Sequence, residues 1–342
     1  MTIGSSTEDR QRTADWLPDW RYRFHEQRGT WMAVAMFVLI FVLYIAKHPS
    51  GLTVPVLTTA ANKGVLLAIV AMAQTLPVLT SGIDLSVGMV FVLANCLASH
   101  LVVGTPAQAA FGVVVVLAVG ALCGFTNGAI IVWGRLQPII TTLATGTIYF
   151  GLALGLRPVP GGDVHAGVAD ALTGALPGGV PAMVLVLVAV ILIVWLPYRR
   201  SALGRAALAI GSAEGAAYMS GVDIGRTKLL TYTLAGLLAA IGGLLLTFVT
   251  YSGEASSAIG GVYTLNSIAA VVIGGTSLAG GAGSAIGSVF GALVLRTIGD
   301  LLFVFDLEPL WQPLFQGLIL LAAVSLGAVQ LLKVSNRLEL FK

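Results

Sequence analysis

Charge is scarce in this chain. Of its 342 residues only 10% are Asp, Glu, Lys or Arg, against 57% apolar, and the mean hydropathy is +0.95. A water-soluble domain carries roughly 25% charged residues, so the composition excludes water as the main solvent. Cysteine is scarce too. Cys96 and Cys123 lie inside apolar runs without metal-ligand spacing, which excludes a zinc site or a disulfide framework and leaves small core residues. The four histidines, His25, His48, His100 and His165, are scattered. No His/Asp/Glu cluster marks an enzyme, and neither a metal site nor a catalytic residue is expected. The pattern G-x-x-x-x-G-K-[ST] occurs nowhere, so the chain cannot cradle nucleotide phosphates by a P-loop, and no cofactor is expected on it. Strong period-2 alternation is absent, which argues against a β-barrel. A net charge of +3 reflects loop placement and points to no nucleic acid.

Long apolar runs are abundant. A membrane-spanning helix needs roughly 17–25 mostly apolar residues. Ten runs qualify or nearly so: 31–46, 57–79, 84–104, 108–133, 138–156, 181–197, 229–250, 264–278, 284–304 and 310–332. The expected fold is an all-α polytopic membrane protein with about ten transmembrane helices. Basic residues give its orientation. With the amino terminus inside, Arg10, Arg12, Arg21, Arg23, Arg28, Arg135, Arg199, Arg200, Arg205, Arg226, Lys228, Lys333, Arg337 and Lys342 share one side, 14 of 18 Lys and Arg. Only Lys47 and Arg157 fall outside, while Lys63 and Arg296 lie within spans. This bias predicts both termini inside and an even span count. The chain then divides into a cytoplasmic amino tail (1–30), one transmembrane domain (31–332) and a cytoplasmic carboxyl tail (333–342). The domain carries a Pro/Gly-rich outer loop (157–180) and a basic inner loop (198–228). The amino tail mixes five Arg with five acidic residues, unlike the basic start of a cleaved signal peptide.

Two polar breaks interrupt the pattern. "TSGIDLSVG" (80–88) holds Gly82, Asp84, Ser86 and Gly88. Asp84 is expected to cap the third span, its carboxylate accepting backbone N–H groups at the positive end of the dipole. "IGGTSLAGGAGS" (273–284), with Gly274 and Gly275, overlaps the end of the run 264–278, which has only 15 residues. At 1.5 Å per residue that run reaches about 22 Å, against a hydrocarbon core of about 30 Å. A broken or re-entrant helix is expected there, tolerated where protein or a water-filled cavity covers its backbone. The two breaks form a weak internal echo, as in repeat-built transporters.

Polar residues inside the spans are candidates for lining a solute pathway: Gln74, Asn95, Asn127, Thr141, Thr145 and Asn266, together with Asn62 and Thr142. Each could equally bond a neighbouring helix. Neutral amides and hydroxyls suit a neutral polyol better than an ion. Arg296 and Asp300 are four apart on one helix face and can pair. Facing an outer vestibule, Arg296 would attract an anionic or polyol ligand. Arg157 either anchors a span end or forms a docking salt bridge.

The inner loop reads "RRSALGRAALAIGSAEGAAYMSGVDIGRTK" (199–228). Its centre, Ala213–Ser220, is expected to form a short helix, with Ser212 as N-cap and Gly221 as stop. The wider segment 203–246 resembles the inner-membrane permeases of ribose-type sugar ABC importers, where an "FGR…AIGGNEEAARLSGI" pattern carries the helix that docks on the ATPase subunit. "TSGIDLSVG", "GFTNGAIIVWGRLQPIITTLAT" (124–145) and "AAVVIGGTSLAGGAGSAIGSVFGALVL" with "LWQPLFQGLILLAAV" (269–324) resemble the same family, in the same order. The resemblance runs from about residue 57 to the end. There are departures. Ser81 stands for the usual Gly, Leu203 for Phe, Ser212-Ala213 for Gly-Asn, and Gly215 for the second Glu.

The resemblance implies an ABC importer permease for a monosaccharide or small polyol in a bacterial inner (plasma) membrane. It implies ATPase coupling through Ala213, Glu214, Gly215, Ala216, Ala217, Tyr218, Met219, Ser220 and Gly221, with Arg205 beside them. The implied partners are an ATP-binding cassette ATPase that holds ATP and magnesium, an extracytoplasmic sugar-binding protein, a second or related permease copy, and membrane lipid. The rival reading is a secondary transporter driven by an ion gradient. It needs a mid-membrane carboxylate, and only Asp300 lies clearly inside a span.

Overall fold

The computed structural model describes residues 28–307 and, beyond them, residues 311, 314, 315, 317, 318 and 321. The tails at 1–27 and 333–342, and most of the run 310–332, lie outside the described residues. Among the described residues every regular element is helical: α1 Arg28–Lys47, α2 Val54–Leu79, α3 Val87–Leu101, α4 Pro106–Trp133, α5 Pro138–Leu156 and α6 Ala166–Thr173. Next, α7 runs Ala182–Val190, passes through a π-helical turn at Ile191–Trp195 and continues as Leu196–Arg200. Then come α8 Ala202–Ser212, α9 Glu214–Met219, α10 Ile224–Thr250, α11 Ser257–Ile273 and α12 Ala285–Val304.

Local chemistry sets the starts. Pro106 and Pro138 open α4 and α5 at a position where a missing N–H costs nothing. Thr105 and Gln108 form a reciprocal capping box ahead of α4. Asp223, Ser256 and Ser284 each accept a backbone N–H at the starts of α10, α11 and α12.

Among the described residues seven helices are long and apolar enough to cross a membrane: α1, α2, α4, α5, α7, α10 and α12. The shorter apolar α3 and α11 connect the same two faces of the bundle. One face gathers the start of α1, the α2–α3 turn, α8, α9 and the loop 274–284. There Gly281 donates to the Leu79 carbonyl (3.2 Å), and Arg199 Nη1 donates to the Gly283 carbonyl (3.2 Å). At the opposite face Gly161 and Gly253 exchange backbone hydrogen bonds of 3.0 and 2.8 Å. There, too, Arg157 grips Ser99 through Nε and Nη2, both at 2.9 Å.

The eighth apolar run begins seven residues earlier than expected. Ser256 Oγ accepts the Ile259 N–H (3.2 Å), which starts α11 at Ser257. Seventeen residues reach about 25 Å. The helix is unbroken, and the interruption is the loop that follows Ile273.

Close approach needs residues without side chains. On α4, Gly120, Gly124 and Gly128 recur every fourth position and meet α10. A Cβ on Gly124 would lie 2.1 Å from the Tyr232 carbonyl oxygen, and one on Gly236 would lie 2.3 Å from the Gly120 carbonyl oxygen. This is small-residue packing, which brings backbones together where lipid supplies no hydrophobic drive. The outward flanks of α4 and α5 carry Phe111, Leu122, Trp133, Ile140 and Leu152, all exposed. Such a continuous apolar surface is stable against hydrocarbon and not against water.

Candidate functional site

The α2–α3 connection does not stay at the surface. Ser81 turns the chain with φ +62°, and Asp84, only 2% exposed, goes back inside the bundle. With the Gln74 amide oriented to satisfy both partners, its nitrogen donates to the Asp84 carbonyl (2.8 Å). Its oxygen accepts the Asp84 N–H (3.2 Å). Gln74 lies five residues before the end of α2, so the chain re-enters by about 7.5 Å. The cap expected of Asp84 is displaced by two positions. Ser86 occupies the N-cap, and Asp84 Oδ1 accepts both the Ser86 N–H (2.8 Å) and its hydroxyl (2.6 Å). The carboxylate shapes the turn that starts α3, and that helix begins at Val87, not at residue 84.

From Ser86 a buried polar chain crosses three helices. Asn127 Nδ2 donates to Ser86 Oγ (2.7 Å), while its Oδ1 accepts from Thr145 Oγ1 (2.6 Å) and Tyr149 OH (3.1 Å). Asn95 donates to Thr247 Oγ1 (2.9 Å) and to the Ser252 carbonyl (3.1 Å), and its Oδ1 accepts the Glu254 N–H (2.8 Å). Gln74, Asn95, Asn127, Thr141 and Thr145 are all at most 5% exposed. The structure therefore puts these five within packed helix contacts and not on an open wall, and the side chains of Gln74, Asn95, Asn127 and Thr145 find partners across the bundle. Thr141 Oγ1 is buried without a partner among the described residues. Asn62 bonds the Thr173 carbonyl (2.9 Å), and Thr142 takes the Leu85 N–H (2.9 Å). Asn266 differs. It lines a cavity with Lys63, Leu67, Val262, Tyr263, Leu295 and Arg296.

Arg296 and Asp300 pair at 3.0 Å, as their spacing predicts, and Lys63 joins them at 3.5 Å from the same carboxylate oxygen. No sequence periodicity connects α2 with α12, so Lys63 was invisible as a member of this cluster. Arg157 serves as an anchor through Ser99. The outer loop contains α6, a helix not expected there, which His165 opens by accepting the Val168 N–H at Nδ1 (3.3 Å). Tyr251 at the end of α10 donates to Asp170 of α6, and this hydrogen bond raises the phenol above its ordinary pKa. Cys96 and Cys123 are free and buried in the core.

The loop 198–228 is more helical than expected. It holds α8 as well as α9. Ser212 is not the N-cap of α9. It ends α8, its hydroxyl committed to the Leu208 carbonyl (2.9 Å), and Ala213 takes the cap position without a side-chain bond. Gly221 stops α9 as expected, with φ +81°. Its N–H bonds the Tyr218 carbonyl (2.9 Å) and the Val222 N–H bonds the Ala217 carbonyl (3.1 Å), which is a Schellman motif. Glu214 ties α9 to α10 through Lys228 (2.9 Å). Arg205 turns back to the Arg200 carbonyl (2.8 Å). What α9 offers outward is apolar. Tyr218 is 70% and Met219 87% exposed, and they lie on the face that carries most of the basic residues.

Residues 56–324 match the family described as branched-chain amino acid transport system / permease component. The chain belongs to this family. Among curated proteins it is similar to the ribose import permease protein RbsC of Bacillus subtilis, with 34% identity over 86% of this chain and 90% of that one. It is similar to the fructose import permease protein FrcC of Rhizobium meliloti, with 33% identity over 86% and 84%. It is also similar to the galactose/methyl galactoside import permease protein MglC of Escherichia coli, with 31% identity over 87% and 93%. No solved structure matches the chain. The permease family and the seven long apolar helices make this a multi-pass membrane protein.

Proposed function

We propose that this chain is the permease subunit of an ATP-driven importer that carries a monosaccharide or similar small polyol across a bacterial inner membrane. The observation that carries this reading is α9. It is a short helix, tied to α10 by Glu214–Lys228 and stopped at Gly221, that presents Tyr218 and Met219 outward, in a chain whose relatives are named sugar import permeases. In this reading the α9 face is cytoplasmic. Arg28, Arg135, Arg199, Arg200, Arg205, Arg226 and Lys228 crowd it, whereas Lys47 and Arg157 lie at the other face, the bias that cytoplasmic loops carry. Counting α3, α11 and the run 310–332 with the seven long helices gives ten spans, with both termini inside.

The ATPase subunit binds ATP and magnesium, and this chain holds neither. Residues Ala213 to Gly221 dock on that subunit, with Arg205 beside them. Closure of the ATPase pair moves α9, and the movement passes to α10 through Glu214–Lys228 and to α2 through α8, whose Gly211 abuts the Leu79 carbonyl. Helix α10 packs on α4, α3 and α2, so a small displacement of α9 biases the bundle between two packings. A binding protein delivers the solute at the opposite face, onto 157–180, 251–256 and 305–307. A second permease copy, or a related chain, completes the pathway. Asn266 faces the solute. Gln74, Asn95, Asn127, Thr141 and Thr145 set the spacing of the helices that enclose it.

An ion-coupled carrier needs a carboxylate in the pathway that is not committed to a structural partner. Here Asp300 is paired with Lys63 and Arg296, and Asp84 accepts from Ser86, so both already have structural partners. Co-purification with the ATPase and measurement of ATP turnover with the sugar-loaded binding protein test the assignment. Stimulation is expected, and uptake that runs on an ion gradient without the ATPase would refute it.

A further inference from the structure

The cavity between α2, α11 and α12 is chemically one-sided. Lys63 lies nine residues from the start of α2, and Arg296 eight from the end of α12. Both are therefore about 12 Å along the helices from the face opposite α9. Among the described residues two cations meet one carboxylate, Asp300, which leaves one positive charge in excess. Both cations point at the same oxygen, Oδ1, and the Lys63 distance of 3.5 Å lies beyond the ordinary hydrogen-bond range of about 2.7–3.2 Å. Arg296 Nε is buried without an acceptor among the described residues. Guanidinium and ammonium can only donate. The other polar side chains that line the cavity are Asn266 and Tyr263, both uncharged. An excess cation at membrane depth is expensive and marks function by default. The cavity volume is about 60 Å³. On this measure one water needs about 10–15 Å³, so the cavity holds a few waters and has room for a carboxylate.

The geometry points to an anionic solute: a monosaccharide acid whose carboxylate lies against Lys63 and Arg296, with Asn266 bonding an adjacent hydroxyl. This rests on the importer reading and narrows it. The relatives are named for ribose, fructose and galactose, so the inference separates this chain from them. A lipid phosphate offers similar chemistry, and the experiment distinguishes the two.

The test uses the full complex, this chain with its ATPase and binding protein, in phosphatidylcholine nanodiscs. ATP turnover is measured with D-ribose, D-galactose, D-gluconate and D-galacturonate. An acid is expected to stimulate most. Arg296→Gln is expected to cut that stimulation at least about tenfold, the loss of one charge-assisted hydrogen bond. Arg296→Lys, which keeps the charge, is expected to retain part of it, and Lys63→Gln to lose several-fold. Lys47→Gln, away from the cavity, is the control and leaves stimulation unchanged. Arg296→Lys and Lys63→Gln carry the test where Arg296→Gln fails to elute as wild type. Stimulation by a neutral sugar alone, indifferent to these substitutions, overturns the acid proposal and leaves the importer standing. No stimulation by any of the four from an intact complex counts against the importer itself. An effect of Arg296→Gln seen only when phosphatidylglycerol is added assigns the cavity to lipid and overturns the proposal.

Discussion

Ser81 occupies a backbone conformation that glycine adopts freely and other residues at a cost of roughly 1–2 kcal/mol. Its hydroxyl gives a reason to accept that cost. Oγ lies 2.6 Å from the Ala279 carbonyl and 3.1 Å from the Gly211 carbonyl, so its single proton joins the α2–α3 turn to the loop 274–284 and the end of α8. Ser81→Gly should therefore change the melting temperature little, one gain offsetting one loss. Ser81→Ala keeps the strain and loses the bond, and should be the less stable of the two in detergent melts. Asp84 gives a second comparison. Asp84→Asn keeps an acceptor for Ser86, whereas Asp84→Leu leaves two buried donors unsatisfied, at roughly 1–3 kcal/mol each. Asn should fold and transport, and Leu should fail in thermal unfolding as well as in uptake. Tyr232 runs the other way. Its hydroxyl is buried without a partner among the described residues, so Tyr232→Phe should leave the melting temperature unchanged or raise it by the equivalent of about 1 kcal/mol.

At the scale of elements, the helices were largely legible because a bilayer demands long apolar runs and closed backbone hydrogen bonding. Runs 57–79, 108–133, 138–156 and 229–250 each fall within a helix. The misses share a physical cause, which is that tertiary contacts decide boundaries. Ser256 and Ser86 start α11 and α3 where hydropathy alone would not. The π-turn in α7 leaves no mark in an apolar run, and α6 hides in a loop rich in Pro and Gly. Lys63 joined Arg296 and Asp300 only once α2 and α12 were packed together. The five buried pathway candidates were ambiguous in sequence because a polar side chain in a span serves a pore or a neighbour equally well. The α4–α10 crossing makes a sharp prediction. Gly124→Val places side-chain carbon where a Cβ already lies 2.1 Å from the Tyr232 carbonyl. The helices must part, and the variant should elute as aggregate in size-exclusion chromatography, whereas Gly155→Val, with nothing within 4 Å of its Cβ, should elute as wild type.

For the whole molecule, the bundle has two ends joined by α10. One end presents the apolar tip of α9 among basic residues, and the other presents α6, the Arg157–Ser99 anchor and the mouth above Lys63 and Arg296. In the proposed function the two ends communicate, with ATP chemistry outside this chain at one and solute at the other. The Glu214–Lys228 pair is exposed on the Glu side, and such pairs contribute about 0–1 kcal/mol, so Glu214→Gln should barely alter stability. Tyr218 and Met219 matter differently, because both side chains are largely exposed and the proposed function gives them the docking contact. The most direct test is ATP turnover by the reconstituted complex, stimulated by loaded binding protein, in the double variant Tyr218→Asp/Met219→Asp. The variant is expected to melt as wild type, to lose its ATPase and to show no stimulation; undiminished stimulation would rule out docking through α9.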